Sequence, residues 1–240
     1  MTDRPGASDE GECVSDFGEG GQAPYERALT SGSTAMLRLR EAGDSGTGVT
    51  SLIDVARFTA SADDVDLSIL ERGIGPVIDL GCGPGRMVRA AIDLGRRAIG
   101  IDVSASAVAL ARSEGLPVLQ ASLFDPLPGE GMWGQALLLD GNLGIGGDVA
   151  SLLRRAVELV HDDGSVVVEA HPVARHSRQF HAVLIDQDGG SSETFPWAEM
   201  GCDPLVDAVR DAGLTVRDQW SLEARTFVEI ARGRSRPRAA

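Results

Sequence analysis

The chain contains no lysine; all 22 of its basic residues are arginine. Three kinds of chemistry depend on a lysine amine: phosphate binding by a P-loop, Schiff-base formation and proton abstraction by lysine. The sequence excludes all three. Aromatic residues are also scarce, at 4% of 240 residues, which argues against an extended surface for stacking nucleic acid bases.

Positive charge is scarce as well, since the formal net charge is −14. Such a chain lacks the electrostatic attraction that nucleic acid phosphates and anionic membrane surfaces require. No apolar run reaches membrane-spanning length, and residues 1–22 are acidic and glycine-rich rather than basic and then hydrophobic. We therefore expect no nucleic acid partner, no membrane partner and no signal peptide.

The three cysteines, Cys13, Cys82 and Cys202, lie far apart and form no Cys-x-x-Cys pair. This spacing indicates neither a disulfide framework nor a zinc site, so we expect no bound metal. A reducing compartment, the cytoplasm, fits best.

The glycine-rich stretch at residues 77–86, with the sequence VIDLGCGPGR, is the most informative part of the chain. Its apolar residues up to Leu80 predict a buried parallel strand. Gly81, Gly83 and Gly85 then allow the backbone to approach a ligand where a side chain would collide. The segment predicts a nucleoside cofactor site.

The spacing from Asp79 through Gly85 differs from a dinucleotide fingerprint, whose third glycine would fall where this chain has Arg86. It resembles the first motif of class I S-adenosylmethionine-dependent methyltransferases. An acidic residue before the first glycine suits a cationic cofactor, whereas it would repel a pyrophosphate. The resemblance covers roughly residues 25–231. It implies that S-adenosylmethionine contacts Asp79 and the turn residues Gly81, Cys82, Gly83 and Gly85.

A second acid, Asp102, ends a predicted short strand about twenty residues beyond the glycine turn. An acid at this place can accept hydrogen bonds from both ribose hydroxyls. We assign Asp102 and the following Val103 to the cofactor site; a helix N-cap is the alternative role for Asp102.

The resemblance also implies a role for Asp125, as the acid that accepts a hydrogen bond from the adenine amino group, with Leu123 or Phe124 beside the base. The alternative for Asp125 is a turn-forming residue before Pro126. Tyr25 lies in a predicted N-terminal helix that would close over the cofactor.

The run LDGNLGIGGD at residues 139–148 follows the fourth predicted strand. It is similar to a run in a subgroup of bacterial methyltransferases with small or unassigned substrates, and so is FPWA at residues 195–198. Asp140 and Asn142 are the candidates for orienting the methionine end of the cofactor or the acceptor. A purely structural turn is the alternative.

Methyl transfer from a sulfonium is an in-line displacement that depends mainly on alignment and desolvation. A base is needed only if the acceptor must lose a proton. His171, at the end of the fifth predicted strand, is the candidate base, with a surface role as the alternative.

Predicted strands and helices alternate along most of the chain. The strands fall at residues 77–80, 98–102, 117–121, 135–139 and 165–169, and an antiparallel hairpin follows at 214–220 and 226–231. This order predicts an α/β, Rossmann-like, seven-stranded and mostly parallel sheet with helices on both faces. Residues 25–40 and 51–70 are predicted to form capping helices, joined by a loop at 44–48.

These elements predict a disordered acidic leader at residues 1–23, a helical cap at 24–72, a methyltransferase domain at 73–233 and a basic tail at 234–240. Within the domain, about residues 171–200 are predicted to form a hairpin insert that shapes the substrate pocket.

The predicted function is cytoplasmic methyl transfer from S-adenosylmethionine to a small-molecule acceptor, in secondary metabolism. The chain lacks the Asn-Pro-Pro-Tyr-like run of enzymes that methylate nucleic acid amino groups. Two alternatives stay open: a nicotinamide-dependent oxidoreductase, and a non-catalytic partner subunit that binds S-adenosylmethionine.

Overall fold

The computed structural model describes residues 24–30, 36–43 and 51–233. Its helices are α1 (Pro24–Thr30), α2 (Val55–Thr59), α3 (Asp64–Arg72), α4 (Arg86–Asp93), α5 (Ala105–Ser113), α6 (Val149–Leu159) and α7 (Cys202–Asp211). Its strands are β1 (Met36–Glu41), β2 (Ser51–Asp54), β3 (Val77–Leu80), β4 (Ala98–Asp102), β5 (Val118–Gln120), β6 (Trp133–Leu138), β7 (Val160–Ala170), β8 (Ser177–Ile185), β9 (Phe195–Met200), β10 (Thr215–Leu222) and β11 (Arg225–Ala231). None of these helices has the length and apolar character that crossing a lipid bilayer requires.

Seven strands form the larger sheet, in the order β10-β11-β7-β6-β3-β4-β5. The strands from β7 to β5 are parallel, whereas β11 and β10 add an antiparallel hairpin at one edge. This confirms the predicted sheet. The chain runs outward from β3 to β5 and then returns to β6 on the other side of β3, so the order reverses between β3 and β6. Ligands of open α/β sheets bind at such a reversal, outside the carboxyl ends of the strands.

Helices cover both faces of this sheet, as predicted. The four residues of β3 are all buried, as expected for a strand with helices on both sides. Ile78 packs in the cluster that includes Leu152 of α6 and Leu205 of α7. Val77, on the opposite face, packs in the cluster that includes Ile69 of α3.

The structure corrects the prediction for the N-terminal segment. Residues 25–40 do not form one helix, because α1 ends at Thr30 and β1 begins at Met36. Residues 51–70 likewise begin with β2 before α2 and α3. The reason lies in β1, where Leu37 and Leu39 are buried and the arginine between them is exposed. This is the two-residue period of a strand.

A second, four-stranded antiparallel sheet has the order β2-β1-β8-β9. Strands β8 and β9 form the hairpin predicted for the insert, with backbone hydrogen bonds closing its turn between Asp186 and Gly190. The insert is more than a separate hairpin, since β8 also pairs with β1. The predicted leader at 1–23, loop at 44–48 and tail at 234–240 lie outside the described residues.

Candidate active site

A cavity opens at the carboxyl ends of β3, β4 and β6, between the seven-stranded sheet and the four-stranded sheet. Nine residues predicted from the sequence line it: Tyr25, Asp79, Gly81, Cys82, Gly83, Asp102, Val103, Asp140 and Asn142. Four other predicted residues, Gly85, Phe124, Asp125 and His171, are not among its lining residues.

Two glycines of the turn after β3 stand where no side chain fits. Gly81 has a φ of 75°, and a Cβ there would lie 2.6 Å from Nδ2 of Asn142. Gly83 has a φ of 53°, and its Cβ would lie 3.1 Å from the hydroxyl oxygen of Tyr25. Both residues therefore need glycine for its left-handed conformation and for its lack of a side chain.

Gly85 has a different role from the one predicted. It is the N-cap of α4, with a φ of 92°. Its Cβ would lie 2.7 Å from a methyl carbon of Leu116. The absent side chain therefore allows α4 to pack against the chain leading into β5, and Gly85 acts through packing.

Asp102 joins the turn to the end of β4. One carboxylate oxygen accepts a hydrogen bond from the Gly83 N–H at 2.7 Å, and the other accepts from the Ser104 N–H at 2.8 Å. The N-cap of α5 is Ser104 rather than Asp102. Each oxygen retains capacity for a further donor, so the carboxylate can accept hydroxyl groups from a ligand in the cavity.

Asp79 is almost fully buried in β3. Burial raises the pKa of this carboxyl from 3.8 to about 7; nearby Arg86 acts in the opposite direction, while Asp140, Asp102 and Asp66 add to the rise. A cationic ligand in the cavity would favour the ionised form.

Asp140 follows β6 in a left-handed conformation, with a φ of 53°. Its N–H donates to Glu169 at 2.9 Å, and its carboxylate accepts from Arg57 at 3.1 Å and from Arg86. Because guanidinium groups contact both of its oxygens, Asp140 belongs to a charge network in the wall of the cavity.

Asp66 of α3 stands at the centre of this network and is fully buried. It accepts hydrogen bonds from Arg57 at 3.2 Å, from Arg225 at 2.7 Å and from Arg86. Arg86 is itself buried and lines the cavity. An arginine on a helix usually faces water, but α4 turns its first residue inward toward Asp66.

Asn142 holds the segment after β6 against the glycine turn. Its side-chain amide donates to the carbonyl oxygens of Leu80 at 2.9 Å and of Gly81 at 2.8 Å. Both amide hydrogens are therefore used within the protein, which supports the structural alternative for this residue.

Apolar and aromatic side chains cover the opposite side of the cavity. Tyr25 of α1 is buried and meets Phe58 of α2 edge to face, with ring centroids 6.3 Å apart. Ile53 of β2 and Trp197 of β9 complete this cover. Sequence reasoning had not assigned Ile53 or Phe58 to the site. The sequence of β2, Ser-Leu-Ile-Asp, has no polar–apolar alternation that could have placed Ile53.

Phe124 and Asp125 lie at the edge of the cavity rather than in its lining. The Phe124 side chain is 43% exposed. The Asp125 carboxylate accepts from the Ser122 N–H at 3.2 Å, as a turn-forming residue does. Ser122 and Leu123 line the cavity in their place.

The structure does not place His171 as a base in this cavity. Its ring stacks on that of His176, with centroids 4.0 Å apart, and lies near Glu199. The segment after β7 turns away to pair with the end of β9, where the His171 N–H donates to the Met200 carbonyl at 2.8 Å.

Residues 78–132 match the family model described as a methyltransferase domain. This segment carries the glycine turn, Asp102 and the strands β3 to β5. No curated protein sequence matches the chain significantly.

Similar solved structures are methyltransferases. A S-adenosylmethionine-dependent methyltransferase from Bacteroides fragilis, in complex with S-adenosyl-L-homocysteine, shares 16% identity at a TM-score of 0.70, covering 88% of this chain and 93% of that one. The sugar N-methyltransferase KedS8 from Streptoalloteichus sp. shares 17% identity at a TM-score of 0.51, covering 73% and 88%. The 1,6-didemethyltoxoflavin-N1-methyltransferase of Burkholderia thailandensis shares 19% identity at a TM-score of 0.50, covering 71% and 77%.

At these identities the structural likeness establishes the fold, and the family match establishes the kind of domain. Together they confirm the prediction made from the glycine turn. The chain carries a methyltransferase domain on the fold of the class I S-adenosylmethionine-dependent methyltransferases.

Proposed function

We propose that the cavity binds S-adenosylmethionine and transfers its methyl group to a small-molecule acceptor. The observation that supports this most strongly is the placement of two carboxylates in the cavity lining, the buried Asp79 and the partly buried Asp102, at the carboxyl ends of adjacent strands beside the glycine turn. Asp79 suits a cationic ligand, and Asp102 suits a ribose.

Each side of the cavity has a role in this proposal. Asp102 accepts the ribose hydroxyls, and Tyr25 covers Gly83 from above the turn. Arg86 lines the cavity, and its buried Nε has no hydrogen-bond partner among the residues that the structure describes. We propose that the guanidinium of Arg86 lies beside the carboxylate of the cofactor's methionine part and attracts it by charge.

We also propose that Phe124 and Asp125 contact the adenine of the cofactor. They neighbour Ser122 and Leu123, which line the cavity. We propose that this turn moves when the cofactor binds, so that the Asp125 carboxylate accepts a hydrogen bond from the adenine amino group.

The chemistry needs alignment more than proton transfer. The side chains of Ile53, Phe58 and Trp197 exclude water from the acceptor side, which favours displacement at a sulfonium because charge is neutralised there. No histidine is among the lining residues. We infer that the acceptor is a nucleophile that reacts without a histidine base.

The packing of two segments against each other supports the resemblance to the subgroup of bacterial methyltransferases. A Cβ at Gly144 would lie 2.4 Å from the Trp197 ring, and a Cβ at Gly147 would lie 3.1 Å from Pro196. The two segments on which the resemblance rests, at residues 139–148 and 195–198, therefore pack directly together. We propose that they form one acceptor-side unit.

We further propose that two parts of the chain have different functions. Residues 73–233 form the methyltransferase domain, and the insert at 171–200 joins the cap at 24–72 through the four-stranded sheet. That sheet covers the cofactor and shapes the acceptor site.

The test is an acceptor screen with methyl-labelled S-adenosylmethionine, using a panel of amines, sugars and phenols and the full chain. Label transfer that the Asp102→Ala variant loses supports the proposal. Binding of S-adenosylmethionine without label transfer to any acceptor favours a non-catalytic partner subunit, and binding of a nicotinamide cofactor instead favours an oxidoreductase.

A further inference from the structure

Three side chains with metal-binding groups converge where the two sheets meet. His171 follows β7, His176 precedes β8, and Glu199 lies in β9. One ligand atom of each lies within 4.8 Å of the other two. All three residues are partly buried, so this cluster differs from an exposed group of acids.

The side chains of the cluster are held by neighbours. Nε2 of His176 lies 2.9 Å from a carboxylate oxygen of Glu199, and the other oxygen of Glu199 accepts from the Ser51 hydroxyl at 2.8 Å. The Ser51 contact is of the kind that orients the ligands of metal sites. The Val173 N–H donates to Nδ1 of His171 at 3.1 Å, a hydrogen bond that this ring gives up if its unprotonated nitrogen binds an ion.

The backbone fixes the same junction. The His171 N–H donates to the Met200 carbonyl at 2.8 Å, and the Gly201 N–H donates to the His176 carbonyl at 2.8 Å. The segment that carries both histidines is therefore tied at each end to the strand that carries Glu199. Forming a site here needs side-chain rotation and little backbone movement.

The ligand types also suit a cation, because imidazole nitrogens and carboxylate oxygens are donors that zinc binds. Turning the His171 ring would present its unprotonated nitrogen to the ion.

We propose that His171, His176 and Glu199 bind one divalent transition-metal ion, with zinc as the best match. Two imidazoles and one carboxylate are a known zinc ligand set. A tetrahedral ion with bonds of about 2.0–2.1 Å spaces its ligand atoms roughly 3.3 Å apart, close to the His176–Glu199 contact.

The three ligands would leave one position of the ion open to water. The metal site joins the end of β7 in the seven-stranded sheet to β9 in the four-stranded sheet, two residues from Trp197 in the cavity lining. The proposal departs from the expectation of no metal, which rested on cysteine spacing. It does not depend on methyl transfer.

The test is a calorimetric titration of the metal-free, tag-free full chain with zinc alone. One ion per chain is expected. The His176→Gln and Glu199→Gln variants should each lose about a hundredfold or more in affinity, and Ser51→Ala about tenfold, since outer contacts typically contribute 10–100-fold. The control His161→Gln, which alters a histidine outside the cluster, should bind zinc as the unaltered chain does.

Cobalt provides a second measurement, because its visible spectrum reports tetrahedral coordination and its near-ultraviolet spectrum reports thiolate ligands. Circular dichroism of each variant checks that it folds. Zinc binding that is unchanged in both His176→Gln and Glu199→Gln, a thiolate spectrum, or no zinc binding at all would overturn the proposal.

Discussion

Two pairs of acids beside the cavity differ in what neutralises them. Asp66 and Asp140, the arginine-paired acids, contact Arg57 and Arg86. Asp79 and Asp102, the cavity acids, have no ion pair among the residues described. Burial raises the pKa of both cavity acids, and two backbone N–H groups oppose the rise at Asp102.

The arginine-paired acids therefore stabilise the fold, whereas the cavity acids are available to bind a ligand. The arginine-paired acids hold the segment after β6 in place before any ligand arrives. A ligand can stabilise the ionised form of the cavity acids with positive charge or with hydroxyl groups. Substitutions in each pair therefore have different expected effects, on stability for the first pair and on affinity for the second.

The Arg86→Met variant should lose about 3–5 kcal/mol of unfolding free energy, because it leaves the fully buried Asp66 and the neighbouring Asp140 with less compensation. Urea unfolding followed by circular dichroism measures the loss. The matched control is Arg89→Met on the same helix, whose exposed pair with Glu114 is expected to contribute about 0–1 kcal/mol. Equal losses in the two variants would contradict the role given to the network.

The Asp102→Ala variant should bind S-adenosylmethionine at least about a hundredfold more weakly, since two hydrogen bonds to a charged group contribute about 1.5–3 kcal/mol each. Calorimetric titration measures the affinity. Thermal unfolding without ligand accompanies it, to show that the variant folds. An affinity within about twofold of the unaltered chain would remove the ribose assignment.

Affinity for S-adenosylmethionine should rise with pH through the pKa of Asp79, about 7. The raised pKa means that the ligand-free protein favours the protonated acid, so its stability is highest below 3.8 with respect to this group and falls as pH rises toward 7. A bound cationic ligand favours the ionised form of Asp79 instead. Between pH 6 and 8 the ionised fraction grows about tenfold, and the affinity should follow.

The Asp79→Asn variant is the control for this pH dependence. Both proteins are titrated at each pH, so that the effect of the cofactor's own ionisation cancels in the ratio of their affinities. The ratio of the two affinities should change about tenfold across this range. A constant ratio would show that Asp79 does not ionise in response to the ligand.

The smallest effect is expected for Asp125→Ala. Its carboxylate lies outside the cavity lining and would make one hydrogen bond to the adenine, so S-adenosylmethionine affinity should fall by about two- to tenfold. Calorimetry beside Asp102→Ala makes the comparison. An unchanged affinity would remove the adenine contact.

The seven-stranded sheet and the turn could be predicted because their signals are local. The run of buried residues at Val77–Leu80, the glycines after it and Asp102 at the end of β4 all occur within about 25 residues of each other. Here chain order and spatial order agree, since β3 and β4 are neighbours in both.

The second sheet and the charge network could not be predicted in this way because they combine distant segments. Arg225 meets Asp66 across 159 residues, and β8 pairs with β1. Arginine on a helix usually faces water, so only the tertiary packing of α3 against α4 reveals that Arg86 is buried. The alternation within β1 was visible in the sequence, but the helical spacing around it obscured the strand.

The most direct test of the central claim is a calorimetric titration of the full, unaltered chain with S-adenosylmethionine and, separately, with NADH at pH 8, where Asp79 is ionised. We predict that S-adenosylmethionine binds with one molecule per chain and that NADH does not bind. Binding of NADH without binding of S-adenosylmethionine would contradict the account.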